Sequence, residues 1–259
     1  MFSRKNPEHN AAKIFPHGSN PINALTHKWG TVPAGNSNRI NTLQMLKMST
    51  QELVDLYENS LTHDTVGSGF GIRGWFHEIY KELLVDKAVL DVGAGFGISS
   101  IFFAREGAKV HFTDIVESNL EIISRICTFY GVTSEYSLIS TFEDYQQING
   151  KFDFILALGS LLNTPIDITR MEFNSFIALG SQKARYLHLS YPKSRWIREG
   201  CLDFDKWGEY TDGPGTPWVE YHDKQKMEYI LSGVQSKLIF ECEFHNSDFN
   251  WFDYEISQT

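Results

Sequence analysis

The chain has 259 residues, and 23 Lys and Arg against 32 Asp and Glu give it a formal charge of −9 at pH 7. That length suits one large domain, or one domain with an extension, and 42% hydrophobic with 21% charged residues excludes wholesale disorder. So acidic a chain lacks the basic surface that general duplex binding needs, and no nucleic-acid partner is expected.

The first segment, residues 1–48, reads as an extended arm. Four of the eight prolines lie there (Pro7, Pro16, Pro21, Pro33), among many asparagines. Proline fixes φ and asparagine favours turns, so no long helix or strand is expected. Trp29 implies that part of the arm is pinned, either by plain packing or as a lid. No apolar run follows the charges of Met1 to Glu8, which speaks against a signal peptide. The longest apolar-leaning run, Phe152 to Leu162, has eleven residues, against the ~20 needed to cross a bilayer. A soluble, cytoplasmic protein with no membrane partner is the expectation. Cys127, Cys201 and Cys242 are scattered, which excludes a cysteine zinc knuckle and speaks against a disulfide framework.

Residues 49–259 read as one domain. A helical cap spans 49–86. Ser49 or Thr50 opens its first helix, with Leu53, Leu56, Tyr57 and Leu61 as the apolar stripe. A second helix is predicted over 70–84, with Trp75, Phe76, Ile79, Tyr80, Leu83 and Leu84 at helical spacing. The core, 87–192, alternates strands and helices. Strands are expected at 88–92, 108–113, 135–139, 152–158 and 185–190, and helices at 98–105, 116–130 and 167–179. Such alternation predicts a doubly wound α/β fold with a mostly parallel sheet. An aromatic insertion, 193–223, precedes a terminal helix and two strands, 237–244 and 249–256. Their four-residue gap permits a hairpin but no crossover helix, so the sheet should finish with one antiparallel strand.

The sharpest motif is Val89-Leu-Asp-Val-Gly-Ala-Gly-Phe-Gly-Ile98. A strand runs into three glycines and a helix opens at once, which lets backbone approach a ligand below the helix N-terminus. Asp114, twenty-one residues past Gly93, closes the next strand, where a carboxylate can grip ribose hydroxyls. The dinucleotide fingerprint needs a third small residue at position 98, which is Ile98. Asp91 would also repel a pyrophosphate. It suits a ligand with sulfonium and ammonium groups, which S-adenosylmethionine has.

These residues, with Phe152-Asp-Phe-Ile-Leu-Ala-Leu-Gly159, resemble the class I S-adenosylmethionine-dependent methyltransferases. The resemblance implies a Rossmann-like sheet of seven strands with the last reversed. It implies that Asp91, Gly93 and Gly95 line the methionine part and that Asp114 binds ribose. It places Thr141 and Phe142 beside adenine, and Gly159 and Ser160 at the methionine end. Arg73 is a candidate for the cofactor's carboxylate or an anionic substrate.

Methyl transfer from a sulfonium mainly requires alignment and exclusion of water. An oxygen nucleophile often also needs a base. His245 and His222 are the candidate bases, whereas His188 reads as a core histidine. Tyr191, Trp218, Asn246, Asp248 and Trp251 are candidates for substrate binding, because they lie in or beside segments that follow strand ends. No cluster has metal-ligand spacing. The favoured acceptor is a hydroxyl on a small polar metabolite, such as a sugar or nucleotide-linked sugar of surface-glycan or secondary-metabolite synthesis. The rivals are a protein acceptor, a cofactor-binding interaction subunit without catalysis and, more distantly, a dinucleotide oxidoreductase. Oligomeric state is left open.

Overall fold

The structure, a computed structural model, describes residues 13–31, 40–65, 74–198, 218–244 and 248–257. Among the described residues, α1 (Ile22–Trp29), α2 (Thr42–Lys47), α3 (Thr50–Thr65) and α4 (Gly74–Leu84) precede the sheet. There follow β1 (Ala88–Val92), α5 (Ile98–Arg105), β2 (Lys109–Asp114), α6 (Glu117–Phe129) and β3 (Glu135–Leu138). A short 3-10 helix (Phe142–Gln147) leads to β4 (Phe152–Leu158), α7 (Ile166–Ile177) and β5 (Gly180–Ser190). The chain ends with α8 (Lys193–Arg198), α9 (Lys224–Ile230), β6 (Gln235–Phe244) and β7 (Phe249–Ser257).

The seven strands lie in the order β3-β2-β1-β4-β5-β7-β6. The pairings among β1 to β5 are parallel. β7 enters between β5 and β6 and pairs antiparallel with both, so β6 runs in the same direction as β5. This is the reversed finish expected of a four-residue gap. The strands of the centre are apolar on both faces, because helices cover both. Val89 faces one core cluster with residues of α3 to α6, and Leu90 faces a second with residues of α7 and α9.

The cap begins where Ser49 and Glu52 cap each other. The Ser49 amide donates to the Glu52 carboxylate at 2.7 Å, and the Glu52 amide donates to Ser49 Oγ at 3.3 Å. The apolar stripe of α4 is narrower than its spacing suggested. Trp75, Phe76, Tyr80 and Leu84 are buried, but Ile79 and Leu83 are both 48% exposed. The arm is not extended throughout, as its prolines suggested. Pro21 stands just ahead of α1, where its missing amide costs nothing. The Asn20 side chain ties that start to the Ser140 carbonyl at 2.6 Å. α1 then packs Leu25 and Trp29 with Phe15 and Trp218.

Candidate active site

After β1 the chain turns through Gly93, Gly95 and Gly97, with φ of +69°, +60° and +71°. Side chains with a β-carbon resist this left-handed region. At Gly93 the constraint is also spatial, since a Cβ there would lie 2.6 Å from Ser160 Cβ. The loops that follow β1 and β4 therefore close on each other. Together they wall a cavity at the carboxyl ends of the strands, lined by Gly93, Gly95, Gly159 and Ser160. Ser160 Oγ is buried with no hydrogen-bond partner among the described residues, as is Asn119 Oδ1 on another wall.

Two buried carboxyls line the same cavity. Asp114 accepts from the Gly95 amide and the Val116 amide, each at 2.8 Å, and from the Asn119 side chain at 3.2 Å. Burial pushes its carboxyl up to about 6, against the pull of those donors. Burial pushes Asp91 up to about 7; the Asp114 charge adds to this and the Ser100 hydroxyl opposes it. Among the described residues neither carboxyl forms an ion pair with Lys or Arg. Enclosed carboxyls without a counter-cation favour a ligand that brings positive charge or hydrogen-bond donors.

Leu25 and Trp29 of α1, Ile115, Asn163 and Glu172 extend the lining. Trp29 is thus pinned against the cavity, as its isolation in the arm suggested. Glu172 was not singled out from the sequence, yet a signal exists. It stands on the face of α7 that carries Thr169, Phe173 and Phe176, all buried, and a charge on an apolar stripe asks for an explanation. Burial pushes its carboxyl up to about 7, with the Tyr145 hydroxyl pulling the other way.

The remaining sequence candidates are dispersed. Thr141 and Phe142 do not line the cavity. Thr141 instead exchanges hydrogen bonds with Asp144 in a capping box, and Phe142 packs on a core cluster. Trp251 lies in the core and outside the cavity lining: it is fully buried, stacks on Phe76 at 4.6 Å between centroids and donates to the Tyr80 hydroxyl at 3.3 Å. Trp218 is buried behind the cavity wall, its carbonyl accepting from Asn163 at 2.8 Å. Tyr191 is buried under the Arg195 guanidinium, 3.8 Å from its ring. The Asp248 carboxylate is paired with Arg198.

His222 does not line the cavity. It is fully buried, with Nδ1 2.8 Å from Nε2 of His188, whose Nδ1 lies 2.9 Å from the Tyr186 hydroxyl. Burial lowers His188 to about 3 and holds His222 well below the usual histidine range. His188 is the hydrogen-bonded core histidine expected. Arg73, His245 and Asn246 lie outside the described residues. Among the described residues no group of His, Cys, Asp and Glu could hold a metal ion, and no helix is long and apolar enough to cross a membrane.

Residues 89–175 match a family model described as a methyltransferase domain. This part of the chain is similar to that domain, and the strand order is that of the class I methyltransferase fold. The chain is also 34% identical over 82 residues to the ubiquinone biosynthesis O-methyltransferase of Pseudomonas paraeruginosa (strain DSM 24068 / PA7), covering 32% of this chain. The match spans about a third, 35%, of that curated relative's length. The fold resembles magnesium protoporphyrin IX methyltransferase of Synechocystis PCC 6803, solved with S-adenosylhomocysteine. The TM-score is 0.54 at 18% identity, over 86% of this chain and 96% of that one. It also resembles the 1,6-didemethyltoxoflavin-N1-methyltransferase of Burkholderia thailandensis, with a TM-score of 0.54 at 15% identity, over 83% and 89%. At these identities the structural likeness is one of fold.

Proposed function

We propose that this protein transfers a methyl group from S-adenosylmethionine to a small polar acceptor, with a hydroxyl oxygen as the favoured nucleophile. One observation carries the reading. A single cavity joins a left-handed glycine turn, which leaves no room for a side chain at Gly93, to two enclosed carboxyls that lack counter-cations among the described residues.

The residues present fit this cofactor. When bound, it supplies an electrophilic methyl group on a sulfonium with a neutral thioether as leaving group. Asp91, Gly93 and Gly95 hold the amino-acid end, where Asp91 faces positive charge. Gly159 and Ser160 close the same end, and the unpartnered Ser160 hydroxyl has a donor or acceptor to offer. Asp114 takes the ribose hydroxyls on lone pairs that its three protein donors leave free. Leu25 and Trp29 exclude water from the cavity, which strengthens every charge interaction inside it.

For a hydroxyl acceptor, the proton goes to His245. This is supported by strand direction. Phe244 ends β6 on the edge where β5 ends, since Ser190 pairs with Asn250 and Phe244 with Phe249. His245 follows Phe244 in sequence. His222 is a poor alternative, being fully buried and outside the cavity lining. The relatives are named for oxygen in one case and nitrogen in another. The chain's acidity and the aromatic residues around the insertion favour a small polar molecule, such as a sugar or a nucleotide-linked sugar, over a nucleic acid.

A cell metabolite extract incubated with the protein and methyl-labelled cofactor tests this. A small molecule that gains one methyl mass is the expected result, with the rate falling about 10²–10⁴-fold in His245→Ala. Label found only on protein would contradict the acceptor class. An unchanged rate in the variant would remove His245 as the base.

A further inference from the structure

We propose that Ser137, His111 and Glu135 form a second reactive site at the β3 edge of the sheet, where Ser137 takes an acyl group from a short-chain activated ester. None of the three lines the cavity, and the inference does not rest on the methyl-transfer reading. Glu135 and Ser137 stand two residues apart on β3, so their side chains share one face. On the neighbouring strand β2, His111 is in register with Glu135. His111 Nδ1 lies 3.1 Å from Glu135 Oε2, and its Nε2 lies 2.9 Å from Ser137 Oγ. The Phe152 ring backs the imidazole edge-on, 5.8 Å away between centroids.

A carboxylate can only accept, so Nδ1 carries the proton of the neutral ring, and Nε2 accepts from the Ser137 hydroxyl. A hydroxyl held on a base, with the base oriented by a third group, is an activated nucleophile. Burial holds His111 below the usual histidine range, against the pull of the Glu135 charge, so the base is free to take a proton at neutral pH. Ser137 is half-buried between exposed Leu138 and half-buried Tyr136, which leaves the site open to solvent. Ile139 donates its amide to the Asp114 carbonyl at 2.9 Å. Successive amides of a strand alternate in direction, so the Leu138 amide faces away from β2, where it can donate to an oxyanion. In the first step Ser137 Oγ bonds to the ester carbonyl carbon and its proton passes to His111 Nε2. The bond to the alcohol oxygen breaks, and that oxygen takes the proton from His111. Water then gives a proton to His111 and bonds to the acyl carbon, and the carboxylic acid leaves as Ser137 Oγ recovers the proton. An open strand edge holds its substrate by little more than these bonds, so the acyl group is short and its ester activated.

The whole chain treated with p-nitrophenyl acetate tests the assignment, with nitrophenolate release followed by absorbance and the acetyl group located by peptide mass spectrometry. The native protein should give a burst of one equivalent per chain, with the acetyl group on Ser137. Ser137→Ala should abolish the burst, and His111→Gln should slow it about 10²–10⁴-fold. The burst rate of the native protein should rise with pH to a plateau, with its midpoint below the ~6.5 of an ordinary histidine. Glu135→Gln should move that midpoint lower still, because it removes the charge that raises His111. A merely structural Glu135 would leave the midpoint in place. Acetyl groups found only on lysines or the chain terminus overturn the proposal, as does a burst that survives in Ser137→Ala. An unshifted midpoint in Glu135→Gln overturns the three-residue site. Should His111→Gln fail to fold, the Ser137 and Glu135 variants still decide.

Discussion

Among the described residues Asp91 and Asp114, at the ends of β1 and β2, have no Lys or Arg paired with them, whereas Asp248 and Glu220, beyond β5 to β7, are paired with Arg198 and Lys226. The contrast extends to the other polar groups. On the first side Ser160 and Asn119 keep a buried atom without a partner. On the second, Asn250 donates to the His222 carbonyl at 2.9 Å and Trp196 to the Val219 carbonyl at 2.8 Å, although His222 Nε2 is buried there without a partner among the described residues. One side of the carboxyl edge thus holds charge and hydrogen-bonding capacity in reserve for a ligand. The described part of the other spends most of its capacity on holding the loops together. Substitutions on the first side should act on cofactor affinity, and those on the second on stability.

The largest effect expected is on the second side. Trp251→Ala should cost about 3–5 kcal/mol of stability, as for a large aromatic removed from a core, with cofactor affinity unchanged in the folded fraction. Denaturant unfolding measures the first and calorimetry the second. A stable variant with altered acceptor KM would return Trp251 to the substrate site and break the comparison.

Next comes Gly93→Ala. Its Cβ meets Ser160 Cβ at 2.6 Å on backbone with φ +69°, so the cradle must open. We expect cofactor affinity to drop about a hundredfold or more (roughly 2.8 kcal/mol at 1.4 kcal/mol per tenfold), with a smaller loss of thermal stability. Asp114→Ala should weaken binding at least about tenfold, from the loss of charge-assisted bonds to ribose. It should also lower the thermal midpoint, because Asp114 anchors Gly95 and Val116. Unchanged affinity in a folded Asp114 variant would mean that ribose lies elsewhere.

The smallest effect sharpens the comparison through pH. Burial raises Asp91 from an ordinary 3.8 to about 7, so the folded chain holds a proton there that the unfolded chain releases. That contribution to stability is present below pH ~4 and is lost as pH rises through about 7. Asp91→Asn removes it. The thermal midpoint of the variant should gain on the native protein between pH 5 and pH 8, by about 2–4 °C for each kcal/mol in a chain of this size. A difference independent of pH would mean that Asp91 is ionised throughout, with a counter-charge close by.

The two sides also differ in how far the sequence discloses them. Gly93, Gly95, Asp91 and Asp114 sit within a short strand-turn-helix-strand stretch, where each residue's role follows from its neighbours in the chain. The reversed β7 was legible from a four-residue gap for the same reason. Glu172 was missed because its place depends on the rotation of α7 against a sheet contributed by other segments. Trp251 was misread because alternation along β7 does not say which face carries ligand and which meets Trp75 and Phe76. The pairing of His188 with His222 joins residues 34 positions apart, and no local pattern announces it. The helices α1 and α2 in the arm escaped because proline and asparagine counts average over positions. Pro21 lies outside α1, where it starts the helix rather than breaking it.

The central claim is that the reserved side of the carboxyl edge is a site for a sulfur nucleoside. Isothermal titration of the whole chain with S-adenosylhomocysteine, and separately with NAD, addresses it most directly. The account predicts saturable one-to-one binding of S-adenosylhomocysteine, strongly reduced in Gly93→Ala, and no heat from NAD. Binding of NAD, with no response to S-adenosylhomocysteine or S-adenosylmethionine, would contradict it.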